Sequence, residues 1–161
     1  NQRRRRVLGA ALVAGGIGAA GVSGLVWAQR RQLPLSSSLP TELGQALRTR
    51  QPLVVMVSLQ GCAWCEEVRN NYLGPMQAEQ GLPVVQVDMR GTLRTVSAQG
   101  QPMAHDDQVR AWGVKVAPTV LFLGPGGQEV ADRLVGGSND FYATYLDRRL
   151  EQARKALAGS V

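Results

Sequence analysis

Residues 53–68 read LVVMVSLQGCAWCEEV, and they contain the only two cysteines of the chain, Cys62 and Cys65. The continuous apolar run over residues 53–57 is typical of a strand that is buried on both faces. Gly61 breaks this strand, and a helix is expected to follow it. The cysteines therefore have C-x-x-C spacing at the point where a buried strand becomes a helix.

The spacing and position of the cysteines predict dithiol chemistry. The first turn of a helix offers unpaired N–H groups and the positive end of the helix dipole, which stabilise a thiolate and lower the pKa of the cysteine nearest the helix start. Cys62 is therefore the predicted nucleophile. Cys65 lies three residues later, on the same side of the helix and deeper. It can attack a mixed disulfide on Cys62 and release the substrate.

Redox chemistry is favoured over three other uses of the cysteine pair. A structural disulfide across two residues closes too small a loop to add much stability. A zinc site needs about four ligands, whereas the chain offers two thiols and a single histidine, His105. Metal binding shared between two copies of the motif and a binding module without enzymatic activity remain as alternatives. His105 follows a polar segment and is expected to be a solvated loop residue rather than an acid or base.

Apolar runs and turn residues on both sides of the cysteines predict an alternation of helices and strands. The predicted helices span residues 42–50, 62–73, 106–112 and 140–158, and the predicted strands span residues 53–57, 82–87, 118–123 and 128–135. The predicted helix N-caps are Thr41, Asp106 or Asp107, and Asn139 or Asp140.

Three further local features complete this prediction. Gly74 and Pro75 are expected to stop the second helix. Residues 91–103 lack an apolar period and are expected to form a long surface loop. The last helix has five apolar residues available for its inner face: Phe141, Tyr145, Leu146, Leu150 and Leu157. Together these elements predict an α/β sandwich built on a mixed sheet.

A second motif, WGVKVAPT at residues 112–119, precedes an apolar strand, a Gly-rich turn, another strand and the pair Gly136–Gly137. With the C-x-x-C motif before it, this order resembles the thioredoxin-like family over about 120 residues, from Pro40 to Ala158. The resemblance implies a central mixed sheet flanked by helices. It also implies a cis peptide bond before Pro118, beside the thiols, and a substrate segment that pairs with the backbone at Ala117. A cis X-Pro bond is a rare and specific turn, and free backbone groups beside it can accept a peptide as an added strand.

The chain departs from thioredoxin itself at several positions. Thioredoxin has a buried acidic residue six positions before the first cysteine, where this chain has Met56. Ala63 and Trp64 lie between the cysteines, where the residues tune the redox potential, and the Trp64 indole could stack on a client. Trp64, Ala117 and Pro118 are the predicted substrate groove. The longer separation between the two motifs is more similar to periplasmic, often membrane-tethered, members of the family.

The N-terminal 31 residues carry the charge imbalance of the chain. They hold six arginines and no acidic residue, so the remaining basic and acidic residues, 12 of each, cancel. A neutral body lacks the basic surface that nucleic-acid binding needs, and this class of partner is set aside. Residues 7–28 are uncharged and would reach about 33 Å as a helix. They are expected to form an apolar helix, either an export signal or a transmembrane anchor if it is not cleaved.

The predicted organisation is an export signal or anchor over residues 1–31, a linker over residues 32–39 and a thioredoxin-like domain over residues 40–161. The expected function is thiol-disulfide exchange in the bacterial periplasm, with the reduction of client disulfides favoured over disulfide insertion. No cofactor or metal is expected beyond the redox-active Cys62–Cys65 disulfide. The expected partners are client protein thiols and disulfides and, by the resemblance, a thiol electron donor in the inner membrane.

Overall fold

The computed structural model describes residues 32–137 and 140–159. The signal or anchor predicted in residues 1–31 lies outside the described residues, as does the predicted cap Asn139. The helices are α1 (Leu39–Arg48), α2 (Ala63–Val68), α3 (Gly74–Gln80), α4 (His105–Ala111) and α5 (Tyr142–Ala158). The strands are β1 (Leu53–Ser58), β2 (Val84–Asp88), β3 (Arg94–Val96), β4 (Pro102–Ala104), β5 (Thr119–Leu123) and β6 (Glu129–Val135).

A four-stranded mixed sheet with the order β2-β1-β5-β6 forms the centre of the fold. β1 runs parallel to β2 and antiparallel to β5, and β5 runs antiparallel to β6. The mixed sheet predicted from the sequence is confirmed.

Side chains alternate between the two faces of the sheet along each strand, and helices cover both faces. On β1, Val54 and Met56 pack in one buried cluster, which also contains Cys65 of α2 and Leu146 of α5. Leu53, Val55 and Val57 pack in the opposite cluster, against residues of α1 and α4. This two-sided burial fixes α2, and with it the cysteines, against the central strand.

The helix that begins after the cysteines is longer than predicted. A π-helical segment, Arg69–Leu73, joins α2 to α3, and the helical chain continues to Gln80. The predicted stop at Gly74 and Pro75 is wrong, because proline is tolerated in the first turn of a helical segment. Gly81 ends the helix in the left-handed conformation, with φ of 66°, which glycine adopts without steric cost.

The predicted linker is part of the folded body where the structure describes it. Residues 32–38, the N-terminal strap, run along the outer edge of β2. The Ser36 N–H donates to the Gln86 carbonyl at 2.9 Å, and the Gln86 N–H donates to the Pro34 carbonyl at 2.8 Å. Leu33 is buried. The strap satisfies backbone groups that an edge strand leaves unpaired, so the fold begins before Pro40.

The predicted loop over residues 91–103 contains a small antiparallel hairpin made of β3 and β4. Thr95 and Ser97 are buried in this hairpin although both are polar. Their burial depends on contacts with distant parts of the chain, so the expectation of a solvated loop is wrong for these residues.

The predicted helix caps and one helix face also need correction. The residues that precede α1, α4 and α5 are Ser38, Ala104 and Phe141, not the predicted polar caps. Tyr145 is half-exposed and Phe141 is exposed, so neither belongs to the inner face of α5, which Tyr142, Leu146, Leu150 and Ala153 form. None of the helices in the described part of the chain combines the length and apolar character needed to cross a membrane.

Candidate active site

Cys62 and Cys65 form a disulfide at the start of α2, with their Cα atoms 5.2 Å apart. Gly61 turns the chain between β1 and the helix, and its φ of 74° lies in the region that favours glycine. Cys62 is the N-cap of α2, and the Cys65 N–H donates to the Cys62 sulfur at 3.1 Å. A thiolate on Cys62 would lie where the helix presents an unpaired backbone donor.

The two sulfur-bearing residues differ in their exposure. Cys65 is completely buried, whereas Cys62 is partly exposed. A client can therefore reach Cys62 but not Cys65. This difference matches the roles of attacking and resolving cysteine that the helix geometry predicts.

The loop before β5 lies against the disulfide. The Cys62 sulfur lies 3.8 Å from the carbonyl oxygen of Ala117. The peptide bond between Ala117 and Pro118 is cis, as the resemblance implies. The Pro118 carbonyl accepts the N–H of Gly136 at 2.8 Å, which ties this loop to the end of β6.

Trp64 and Pro118, two of the predicted groove residues, meet at Gly137. A Cβ atom at Gly137 would lie 3.2 Å from the Pro118 Cγ, the Trp64 Cβ and the Trp64 carbonyl oxygen. The absence of a side chain at Gly137 therefore allows the three segments to approach closely. Ala63 and Trp64 are exposed, and the Trp64 side chain is half open to solvent. Gly137 was not among the predicted site residues, although its position in the Gly136–Gly137 pair after an edge strand was a usable signal.

The floor of the site is apolar. Met56, at the position of the acidic residue in thioredoxin, is completely buried in the same cluster as Cys65. It cannot accept a proton from Cys65 as a carboxylate would. In the described part of the chain, no cluster of three or more His, Cys, Asp or Glu side chains could hold a metal ion.

Tyr142 places a buried hydroxyl in this cluster, which sequence reasoning missed. Its side chain is buried, and its ring centroid lies 5.0 Å from that of Tyr72. The Tyr142 hydroxyl has no hydrogen-bond partner among the described residues. Burial raises the pKa of Tyr142 above its ordinary value of 10.0, and the neighbouring Tyr72 raises it further.

Replacement of Tyr142 by phenylalanine is expected to increase the free energy of unfolding by about 1 kcal/mol, because it removes a buried hydroxyl that has lost its water contacts without gaining a partner. Because the pKa of Tyr142 is raised in the folded chain, the unfolded chain ionises first, and the free energy of unfolding of the wild type falls as the pH rises above 10.0. The advantage of Tyr142→Phe should therefore increase above that pH.

Urea unfolding followed by circular dichroism at neutral pH and above pH 10.0 measures both effects of this substitution. Tyr145→Phe is the matched control, because Tyr145 is half-exposed and loses no buried hydroxyl. A loss of stability in Tyr142→Phe at neutral pH would show that the hydroxyl has a bonding partner, and the prediction would be wrong.

His105 does not belong to the thiol site. The prediction that it is a solvated loop residue is wrong. It is completely buried at the start of α4. Its Nδ1 accepts the Asp88 N–H at 3.1 Å, so the proton is on Nε2, which donates to the Ser36 carbonyl at 2.8 Å. The imidazole is buried because the backbone groups of two distant segments bond to it in place of water.

Comparison with solved structures identifies the fold. The chain is similar to a thioredoxin h from poplar, with a TM-score of 0.51 and 19% identity over 70% of this chain and 94% of that one. It is also similar to thioredoxin O2 from Arabidopsis thaliana (TM-score 0.49, 16% identity, 75% and 96% of the two chains). A third similar structure is the thioredoxin NaTrxh from Nicotiana alata, with a TM-score of 0.48 and 17% identity over 74% of this chain and 96% of that one. No family model and no curated protein sequence matches the chain.

The chain therefore has the thioredoxin fold, as the resemblance predicts. Within that fold it carries a C-x-x-C disulfide at the start of a helix, with Cys62 open to solvent and Cys65 beneath it. This arrangement supports thiol-disulfide exchange as the chemistry of the site.

Proposed function

We propose that this protein is a thiol-disulfide oxidoreductase of the bacterial periplasm that reduces disulfides in client proteins. The observation that carries the proposal is the contrast between the accessible Cys62 and the buried Cys65 within one disulfide. A structural disulfide has no need for one exposed sulfur at a helix start, whereas exchange with a client requires it.

The reductive cycle begins with both cysteines as thiols. The Cys62 thiolate attacks one sulfur of a client disulfide, forms a mixed disulfide and releases the other client sulfur as a thiolate, which takes up a proton. Cys65, as a thiolate, then attacks the Cys62 sulfur and releases the second client thiolate. The client disulfide gains two electrons and two protons, and the protein is left with the Cys62–Cys65 disulfide.

The environment of each sulfur supports its step. The Cys65 N–H, 3.1 Å from the Cys62 sulfur, can stabilise negative charge on Cys62. The Ala117 carbonyl borders the Cys62 sulfur, and the backbone at Ala117 and Pro118 is where an extended client segment can lie. Because Met56 occupies the position of the acidic residue, the Cys65 proton has to leave by a route that does not use a carboxylate there.

A reductase needs a source of electrons to return its disulfide to two thiols. We infer a dithiol donor in the inner membrane, since a periplasmic protein has no access to cytoplasmic reductants. The Arg-rich start and the uncharged residues 7–28 support export or anchoring at that membrane. Separation of periplasmic and membrane fractions, with the mass of the recovered chain, tests the location and shows whether residues 7–28 are retained.

The reduction potential of the Cys62–Cys65 couple tests the direction of exchange. The purified protein is equilibrated with glutathione or dithiothreitol buffers, its free thiols are alkylated, and the oxidised fraction is read by mass. We expect a potential near about −270 mV, the value of a reductase, and a potential near about −120 mV would instead indicate an enzyme that inserts disulfides. If no poise produced reversible oxidation, a non-enzymatic binding module would replace the proposed function.

A further inference from the structure

The loop that joins α4 to β5, residues 112–118, is held at both of its ends by the last strand of the sheet and the residue that follows it. At the start of this α4–β5 loop, Arg133 of β6 donates from its Nη1 to the Trp112 carbonyl at 3.0 Å. At the end of the loop, the Gly136 N–H donates to the Pro118 carbonyl at 2.8 Å. The loop is therefore fixed against β6 at the two points where it enters and leaves the sheet region.

A third carbonyl of the α4–β5 loop also accepts a hydrogen bond from outside the loop. Thr119 donates its hydroxyl to the Val116 carbonyl at 2.7 Å. The next carbonyl, that of Ala117, lies instead against the thiol site, 3.8 Å from the Cys62 sulfur. A loop fixed in this way offers its backbone to a client in one conformation, so less conformational entropy is lost when the client binds.

Arg133 is itself held by a carboxylate on the same strand. Its Nε donates to Glu129 Oε2 at 3.1 Å, its Nη2 donates to Glu129 Oε1, and its Nη1 is the nitrogen that reaches the Trp112 carbonyl. A carboxylate that binds two nitrogens of the planar guanidinium fixes its orientation. The side chains of Arg133 and Glu129 are each 30% exposed, so water competes only partly for these bonds.

The pairing of β6 with β5 is irregular at Arg133. Between two successive pairs of the ladder, β6 has two residues, Asp132 and Arg133, where β5 has only Leu121. An extra residue of this kind, a β-bulge, redirects the side chains of a strand and is frequent at sheet edges and beside active sites. β6 is an edge strand, with β5 as its neighbour in the sheet. The local backbone of β6 thus departs from a regular strand at the residue that reaches the loop.

We propose that Arg133 is a positioning residue for disulfide exchange: it holds the start of the α4–β5 loop, so that the backbone at Ala117 is already in place beside Cys62 when a client binds. Arg133 acts through the Trp112 carbonyl and not on the sulfur atoms. The inference rests on the proposed function, since it concerns the binding of a client at Cys62. It assigns Arg133 a part in the affinity for an extended client and none in the reactivity of the thiols.

Removal of the guanidinium tests this role. Arg133→Met keeps an apolar stem but has no donor for the Trp112 carbonyl. We expect the KM for a fluorescent peptide disulfide to rise about five-fold with kcat nearly unchanged, the size expected from one charge-assisted hydrogen bond at a partly exposed site. Hydroxyethyl disulfide is too small to lie along the loop and should be reduced at the wild-type rate. Arg133→Lys should recover part of the affinity, because an ammonium can donate to the carbonyl but lacks the planar fork.

Arg149→Met is the matched control for this substitution. The Arg149 side chain is 32% exposed and pairs at 3.0 Å with Asp132, the neighbour of Arg133 on β6. Among the described residues, its bonds go to Asp132 and Gln152 and not to the α4–β5 loop. Arg149→Met should therefore leave the KM for the peptide unchanged. An unchanged KM in Arg133→Met, an equal rise in Arg149→Met, or an equal loss of rate with hydroxyethyl disulfide in Arg133→Met would overturn the proposal.

Glu129→Gln tests whether the carboxylate acts through Arg133. This substitution weakens the pair that orients the guanidinium, so a smaller rise in KM is expected than in Arg133→Met. The double variant should have the same KM as Arg133→Met alone, because Glu129 then has no guanidinium left to orient. Additive increases in the double variant would show that the two side chains act independently, against the proposal.

Hydrogen exchange tests the position of the loop without any turnover. In Arg133→Met, the Val114 and Gly136 amides, which bond within or to the loop, should exchange faster than in the wild type. The Gly124 amide bonds to the Gln128 carbonyl at the other end of β6 and should be unaffected. Equal exchange rates in the variant and the wild type at Val114 and Gly136 would overturn the proposal. Hydroxyethyl disulfide reduction by the wild type reports on the proposed function alone, so a failure of that function is told apart from a failure of this role.

Discussion

Replacement of Cys62 by serine is expected to abolish disulfide exchange completely. Cys62 is the partly exposed member of the pair, and Cys65 beneath it is fully buried. A serine hydroxyl is not ionised at neutral pH and cannot exchange with a disulfide, and no other sulfur can take its place, since the chain has only two cysteines. Reduction of a fluorescent peptide disulfide with an excess of dithiothreitol measures the loss against the uncatalysed rate.

Replacement of Cys65 by serine is expected to have a different outcome. Cys62 can still attack a client, but no thiol is left to resolve the product, so a covalent complex accumulates. Non-reducing electrophoresis followed by mass analysis detects this complex, which dithiothreitol should release. The Cys62→Ser variant is its matched control and should form none.

The pair of variants also tests the assignment of roles. If Cys65→Ser lost activity without trapping a client while Cys62→Ser trapped one, Cys65 would be the attacking residue and the roles derived from burial would be reversed. Full activity in both variants would exclude the cysteines from the chemistry. Near-native circular dichroism of each variant shows that a loss of activity is not a loss of fold.

The central strands and the thiol site could be predicted because their signals are local. The apolar residues in β1 and β5 are consecutive, whereas a half-buried strand alternates apolar with polar residues, so both strands could be predicted to be buried on both faces. Gly61 marks the turn that brings Cys62 to the start of the helix. The resemblance carried by the two ordered motifs implied that Pro118 lies beside the cysteines, and the Cys62 sulfur lies 3.8 Å from the carbonyl oxygen of the preceding Ala117. Each inference used residues close together in sequence or one ordered pair of motifs.

The elements that were missed depend on distant contacts. Ser36 and Thr95, which meet through their hydroxyls at 3.1 Å, are 59 residues apart, and Ser36 and His105 are 69 residues apart. No local period reports such contacts, so the strap and the β3–β4 hairpin looked like linker and loop. The continuation of the helix past Pro75 was missed for a different reason, since composition does not reveal a π-helical segment.

His105→Ala is expected to lower the free energy of unfolding by about 3–5 kcal/mol, because it leaves a cavity and deprives two backbone groups of their partners. The Asp88 N–H would lose its acceptor and the Ser36 carbonyl its donor. Ser36 is also the centre of a polar cluster, in which its hydroxyl donates to the Glu42 carboxylate at 2.7 Å and lies beside Thr95. The imidazole therefore joins the strap, the end of β2 and the start of α4.

The loss of stability in His105→Ala should be largest at the strap, where hydrogen exchange of single amides can detect it. The Ser36 and Gln86 amides, whose bonds hold the strap to β2, should exchange hydrogen faster in His105→Ala than in the wild type. Asp107→Ala is the matched control on the same helix turn, because its exposed ion pair with Arg110 is worth less than about 1 kcal/mol. Urea unfolding measures the change in the free energy of unfolding, and hydrogen exchange measures the local opening at the Ser36 and Gln86 amides. If His105→Ala resembled Asp107→Ala in both measurements, the imidazole would not be the group that holds the strap, and the backbone bonds to β2 and the buried Leu33 would hold it without His105.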